Sequence, residues 1–188
     1  MLANLAYDAG TIVRWFEYSE TDSTGGVENL KPVNSIEIFK AKKRSALEYL
    51  CLTKANVESL VFYSKNEDNS ADVLFCADSN FVFKQDLSFL SKQLIVTVPH
   101  HGADANKNAY LRLKPYISSD TIFVRSDSKQ SSKSKSPRPC KAFKALTNAK
   151  FCTICFPALH PKQDVVLQHS LGTGWVAQPN TYSCHCKL

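Results

Sequence analysis

Two short stretches carry residue types suited to chemistry rather than packing. Asp78-Ser79-Asn80 follows the apolar run Val73 to Ala77, and His100-His101-Gly102 follows Leu94 to Val98. Each run is short, continuous and partly β-branched, as buried strands are. In an open α/β sheet, ligands collect just beyond the carboxyl ends of strands. A carboxylate and two imidazoles placed there form a candidate metal site. Paired histidines at a strand end have no packing advantage, whereas Asp78 also suits a turn or a helix cap. Ser79 and Asn80 are candidates for bonding a substrate or for opening a helix. Asp104 is a candidate to orient a histidine, against the plainer role of an exposed loop acid.

A second set of donors lies near the end of the chain. Cys152-Thr-Ile-Cys155 with Cys184-His-Cys186 has the ligand count of a structural zinc site. The first pair, however, sits in an apolar stretch, FCTICF, that reads as a strand, where residues three apart point to opposite faces. The expectation is therefore buried strand thiols and a frayed tail over 178–188. His160 and His169 fall in or beside the final strands and read as surface or core residues. Trp15 and Trp175 read as core or sheet-face residues.

The elements that must position these residues follow from periodicity. Strands are expected at Thr11 to Ser19, Asn34 to Phe39, Ser59 to Tyr63, Val73 to Ala77, Leu94 to Val98, Thr121 to Val124, Phe151 to Phe156, Val165 to His169 and Trp175 to Ala177. Helices are expected at Lys42 to Leu52, within Phe81 to Leu90, at Asn106 to Leu113 and at Pro137 to Leu146. SKNEDNS, Ser64 to Ser70, reads as a hairpin loop, and SLGTG as the turn of a closing hairpin. Strands, then alternating strands and helices, then strands again predict an α/β (α+β) mixed sheet. With 188 residues and no linker, one domain over 1–188 is expected.

Composition narrows the class. No apolar run approaches the roughly 20 residues that span a bilayer, so no membrane partner is expected. The amino terminus lacks a basic start followed by an apolar stretch, and the seven cysteines read as reduced thiols of a cytoplasmic protein. Charge is local. Arg125 to Lys150 carries eight lysines and arginines against one acid, so net +7 sits in one segment of a chain whose total is +6. Within it, 126–136 is a serine- and lysine-rich loop expected to be mobile. Lys129, Lys133, Lys135 and Arg138 are candidates for binding phosphates of a nucleic-acid backbone, against the plainer role of a solvated loop.

The succession NVESLVFYS, DVLFCADSNF, LIVTVPHHGADANKNAYLRLKP resembles the second half of a metallo-β-lactamase-fold hydrolase, in particular the competence-protein-like branch. The likeness continues through IFVRSDSK, PRPCKAFKAL and VVLQHSLGTGWVA, covering roughly Asn56 to Ala177. It implies a four-layer αββα sandwich of two similar halves with the active site between them on one sheet edge. It further implies that Asp78 bridges two divalent ions, zinc or manganese, and that one histidine of the His100-His101 pair is the last metal ligand, His101 being favoured and His100 then being the neighbour that contacts substrate. Substrates of that branch are often phosphodiesters.

The departures from the pattern are equally specific. The family's first-half signature, His-x-His-x-Asp-His, has no counterpart, because no histidine precedes His100. Ala77 replaces a glycine and Ala103 a serine. Zinc needs three or four protein ligands, and Asp78 with one histidine supplies two. The chain is therefore expected to be half or an incomplete part of the sandwich, inactive alone. Its first half would be truncated away, lost, or supplied by a second polypeptide. The rival expectation is a non-catalytic interaction or regulatory module that pairs with another chain, or binds nucleic acid through its basic loop.

Overall fold

The computed structural model describes residue 9 and residues 14–38, 58–65, 71–127, 139–155, 163–170 and 173–186. The helix expected at Lys42 to Leu52, most of the Ser64 to Ser70 loop, and the basic loop beyond Asp127 lie outside these residues, as does His160.

Six strands form the central sheet in the order β2 (Lys31–Pro32), β4 (Phe62–Ser64), β5 (Asp72–Phe75), β6 (Leu94–Thr97), β7 (Ile122–Arg125) and β8 (Ala149–Cys152). The β2–β4 and β4–β5 pairs are antiparallel, and β5 through β8 are parallel. The sheet is therefore mixed, as expected. Helix α1 (Lys107–Leu113) joins β6 to β7, and the short α2 (Lys141–Lys144) precedes β8. Two antiparallel pairs stand apart from the sheet: β1 (Trp15–Tyr18) with β3 (Ser35–Ile38), and β9 (Leu167–Ser170) with β10 (Gly174–Ala177).

Strand alternation sorts side chains onto two faces. Leu74, Val96 and Phe123 stand in register and point into the main core with Leu87, Leu94, Leu113 and Phe143. Val73, Ile95, Ile122, Val124 and Phe151 point the other way, where Leu167 and Trp175 of the β9–β10 pair cover them. That cover reaches Val73 of β5, while Phe75 at the end of the strand remains 44% exposed.

The sequence missed β2, a two-residue strand whose proline is tolerated because it lies at the sheet edge. Just after it, buried Asn34 imitates a strand. Its Oδ1 accepts from Val61 N (2.6 Å) and its Nδ2 donates to Ser59 O (2.9 Å).

The helix expected within Phe81 to Leu90 is not there; the segment runs without regular structure to a turn at Ser88 and Phe89. Phe81 and Phe83 are buried while Val82 and Lys84 are exposed, a period of two that no helix produces. The segment is held by distant partners: Lys84 N donates to Glu20 O (2.7 Å), and Arg112 Nη2 donates to Gln85 O (2.9 Å).

Two buried tyrosines show opposite solutions. The Tyr63 hydroxyl bonds Asp72, and burial with that carboxylate pushes its pKa up. Tyr110 is 3% exposed between Phe123 and Phe143, and its hydroxyl has no hydrogen-bond partner among the described residues. Tyr110→Phe is accordingly expected to raise stability by about 1 kcal/mol, read as a higher denaturant midpoint at unchanged slope. A clear loss of stability would show that the hydroxyl is satisfied in solution.

Candidate functional site

Asp78 and the His100-His101 pair lie where the strand pattern placed them. Parallel strands β5 and β6 are adjacent, so both segments leave the same edge of the sheet. The edge is tied together locally: His100 N donates to Ala77 O (3.0 Å), and Asn106 Nδ2 donates to Asp78 O (2.6 Å). Ala77, His100 and His101 all have left-handed backbone, with φ of 45°, 45° and 54°. Residues with a Cβ adopt that region at a cost, and such strain gathers at functional sites. Gly102 follows at φ 82°, with Pro139 packed 3.0 Å from where a Cβ would stand. Its carbonyl accepts from Cys140 N (2.8 Å), which locks the corner onto the start of α2.

Both imidazoles have a fixed proton. His101 Nδ1 lies 2.6 Å from Ser126 O, and a carbonyl can only accept, so Nδ1 carries the hydrogen. His100 Nδ1 lies 3.1 Å from Asn106 Oδ1, the amide oxygen, because the same amide's nitrogen donates to Asp78 O. In the neutral form of each ring Nε2 is therefore the acceptor, and neutral imidazole is the form in which histidine ligates metal. Asp78 is half-buried. Ser79 is 1% exposed, and its Oγ accepts from Phe81 N (3.2 Å), a turn contact inside the fold. Asp104 is the exposed loop acid, 3.6 Å from Lys107 Nζ.

The basic segment divides. Lys129, Lys133, Lys135 and Arg138 lie outside the described residues. Arg125 turns inward and is 1% exposed, and Lys150 bonds the carbonyls of Lys144 and Leu146 over the Phe143 ring. These two charges serve the fold. His169 stacks edge-on against Trp175 at 5.4 Å and bonds Gln93, a structural placement.

The four late cysteines, expected to be apart, come together. Their sulfurs all lie within 4.8 Å of one another, and among the described residues they are the only group of three or more Cys, His, Asp or Glu able to hold a metal ion. The expected strand Phe151 to Phe156 ends early, at Cys152. Thr153 still holds to β7, since its N donates to Arg125 O (3.0 Å) and its Oγ1 exchanges bonds with Asp127 N and O; Cys155 N then donates to Cys152 O (3.3 Å) and turns the chain. This turn brings Cys155 Sγ to 3.4 Å from Cys152 Sγ.

The tail is not frayed through Cys186. Ser183 bridges Phe151, and Cys184 N donates to Lys150 O (2.7 Å). Gln163 clips it further, with Nε2 bonded to both Cys152 O and Tyr182 O and Oε1 accepting from Tyr182 N.

Four thiols this close do not ionise independently. Hydrogen bonds from Cys184 and Cys186 pull Cys152 far below the usual thiol range. Cys184 is pushed up to about 11 and Cys186 higher still, chiefly because each then faces the Cys152 thiolate. Cys76, buried alone in the core, is also pushed up, by desolvation, and is chemically inert there.

Arg125 connects the two sites. Its Nη1 lies 3.4 Å from Cys152 Sγ and 3.2 Å from Cys186 Sγ, its Nη2 pairs with Asp127, and its Nε donates to His101 O (2.8 Å). No protein-family model, curated protein or solved structure matches the chain. Among the described residues, no helix is long and apolar enough to cross a membrane.

Proposed function

We propose that this chain is the carboxy-terminal part of a metal-dependent hydrolase of the metallo-β-lactamase fold. The observation that carries the proposal is the strained edge where Asp78 and His100-His101 leave adjacent parallel strands, with both histidines held so that Nε2 accepts. Asp78 and His101 would be metal ligands, and His100 would face the substrate. The donors present are too few to hold zinc or manganese alone, so the remaining ligands come from a first half supplied by another polypeptide or by upstream sequence. In a complete site such ions supply an activated water near neutral pH. The residues here contribute orientation: Asn106 and the Ser126 carbonyl fix the rings, and the β5–β6 edge fixes their spacing. Phosphodiesters are the proposed substrate class, with Lys129, Lys133, Lys135 and Arg138 as the phosphate-binding side chains.

The test is to combine the chain with its upstream or partner sequence and measure hydrolysis of a simple aryl phosphodiester. Activity should appear only in the combination and fall at least about 100-fold in Asp78→Ala and His101→Ala. Unchanged activity in both variants would end the hydrolase assignment.

A second reading has its own observation. Phe75 stands 44% exposed on the sheet's second face, beside its cross-strand partner Phe62, which Phe16 of the β1–β3 pair packs against. A module that pairs with another chain through this face needs no chemistry at Asp78. Association that survives Asp78→Ala and is lost in Phe75→Glu, with no hydrolysis in the complex, would favour it.

A further inference from the structure

We infer that Cys152, Cys155, Cys184 and Cys186 bind one zinc ion as a closed tetrathiolate site that pins the tail to β8, with Arg125 as a hydrogen-bond donor to two of its sulfurs. This rests on the cysteine geometry and not on the hydrolase proposal.

Geometry comes first. Four sulfurs about 2.3 Å from a central ion at tetrahedral angles lie about 3.8 Å from one another. The recorded separations are 3.4 Å for Cys152–Cys155, 3.4 Å for Cys155–Cys186 and 3.9 Å for Cys155–Cys184, with every pair within 4.8 Å. A disulfide would join two sulfurs at about 2.0 Å and leave no reason for the other two to converge. All four thiols are instead gathered around one point. Thiolates are soft donors that reject magnesium and calcium, and an all-cysteine tetrahedron with no open position fits structural zinc.

Electrostatics point the same way. On binding, each thiol passes its proton to solvent, and four thiolates around a divalent ion leave a net charge of about −2. Cys152 is buried and the other three cysteines are half-buried, so an excess of that size gains from hydrogen-bond donors close by. Arg125, 1% exposed and already paired with Asp127, supplies such donors, with N–H groups within 3.4 Å of the Cys152 and Cys186 sulfurs. Such contacts around the ligands orient them and tune the site.

The elements held are also telling. Cys152 ends β8, Cys155 closes the turn after it, and Cys184 and Cys186 belong to a tail that adds only an isolated bridge to β8. Few backbone bonds hold that tail, so an ion shared between it and β8 is a staple of the kind small or irregular segments use.

The experiment is metal analysis of the full chain purified under reducing conditions without added metal. About one zinc per chain is expected, falling to near none in Cys184→Ser/Cys186→Ser and staying at about one in Asp78→Ala/His101→Ala. Because the cysteine variant can misfold, the unmodified chain is also stripped by a chelator and titrated with cobalt(II). The absorption of a tetrahedral tetrathiolate at one equivalent is expected, with zinc displacing it. Absence of that spectrum, zinc content that follows Asp78 rather than the cysteines, or bound iron in place of zinc would each overturn the assignment. Failure of hydrolysis in the combined enzyme leaves these readouts untouched.

Discussion

Arg125→Met is expected to cost the fold about 3–5 kcal/mol, because it removes one partner of a buried ion pair and leaves the other in place. Arg125 and Asp127 have side-chain exposures of 1% and 3%, and the guanidinium also serves His101 O and two cysteine sulfurs. Methionine fills the volume and supplies none of these donors. Urea unfolding of the reduced chain measures the loss; a change within about 0.5 kcal/mol would mean that solvent or neighbours replace the arginine at little cost. Arg125→Lys keeps the charge without the planar fork, so an intermediate loss is expected. Combining Arg125→Met with Asp127→Asn should recover part of the loss, since the stranded carboxylate is then neutral.

The same arginine shows why the two candidate sites should not be treated separately. Its Nε holds the carbonyl of His101, a residue at φ 54°, while its other end faces the cysteine cluster. Whatever fixes the cysteines therefore fixes the guanidinium, and through it the backbone of the histidine corner. The turn at Thr153 belongs to this arrangement as well, since its N bonds Arg125 O and its hydroxyl bonds Asp127. A rigid late β8 and a rigid His100-His101 edge are parts of one hydrogen-bonded unit.

The parallel core was legible because its signal is local. Asp72–Phe75, Leu94–Thr97 and Ile122–Arg125 are short apolar runs, and each appears within a residue or two of its expected place. Residues at their carboxyl ends then had to share an edge. Three features were harder to read, two because long-range partners set them and one because a run of charge masked a local signal. Phe81 to Leu90 has apolar residues at spacings that suit either period, and bonds from Glu20 and Arg112 select the extended form. FCTIC reads as continuous strand, but Gln163 takes the carbonyls of Cys152 and Thr153 and Cys155 N turns back onto Cys152 O. Arg125 looked like one charge in a basic run. Strand alternation, which sets it on the same face as buried Phe123, was the signal that it points inward.

Asn106→Ala is expected to be the most damaging change at the candidate site among residues that are not proposed ligands. Asn106 is 3% exposed, and its amide spans the gap between the two strand ends, with Oδ1 to His100 Nδ1 and Nδ2 to Asp78 O. Alanine leaves the imidazole free to turn and a carbonyl unmet in a buried setting, a loss of about 1–3 kcal/mol. Removing such an orienting partner typically costs about 10–100-fold in metal affinity or activity, and that range is expected for the combined hydrolase. A purely structural role would lower stability alone, so the deciding readout is the ring itself. Nitrogen NMR of the chain should show His100 protonated at Nδ1, shifting toward the Nε2-protonated tautomer in Asn106→Ala, with His101 unchanged because its partner is the Ser126 carbonyl. Asn106→Asp keeps an acceptor for the ring and loses the donor to Asp78, so it should restore the tautomer but not the full stability. If His100 keeps its tautomer in Asn106→Ala, Asn106 does not position the imidazole, and the strained corner alone must hold it.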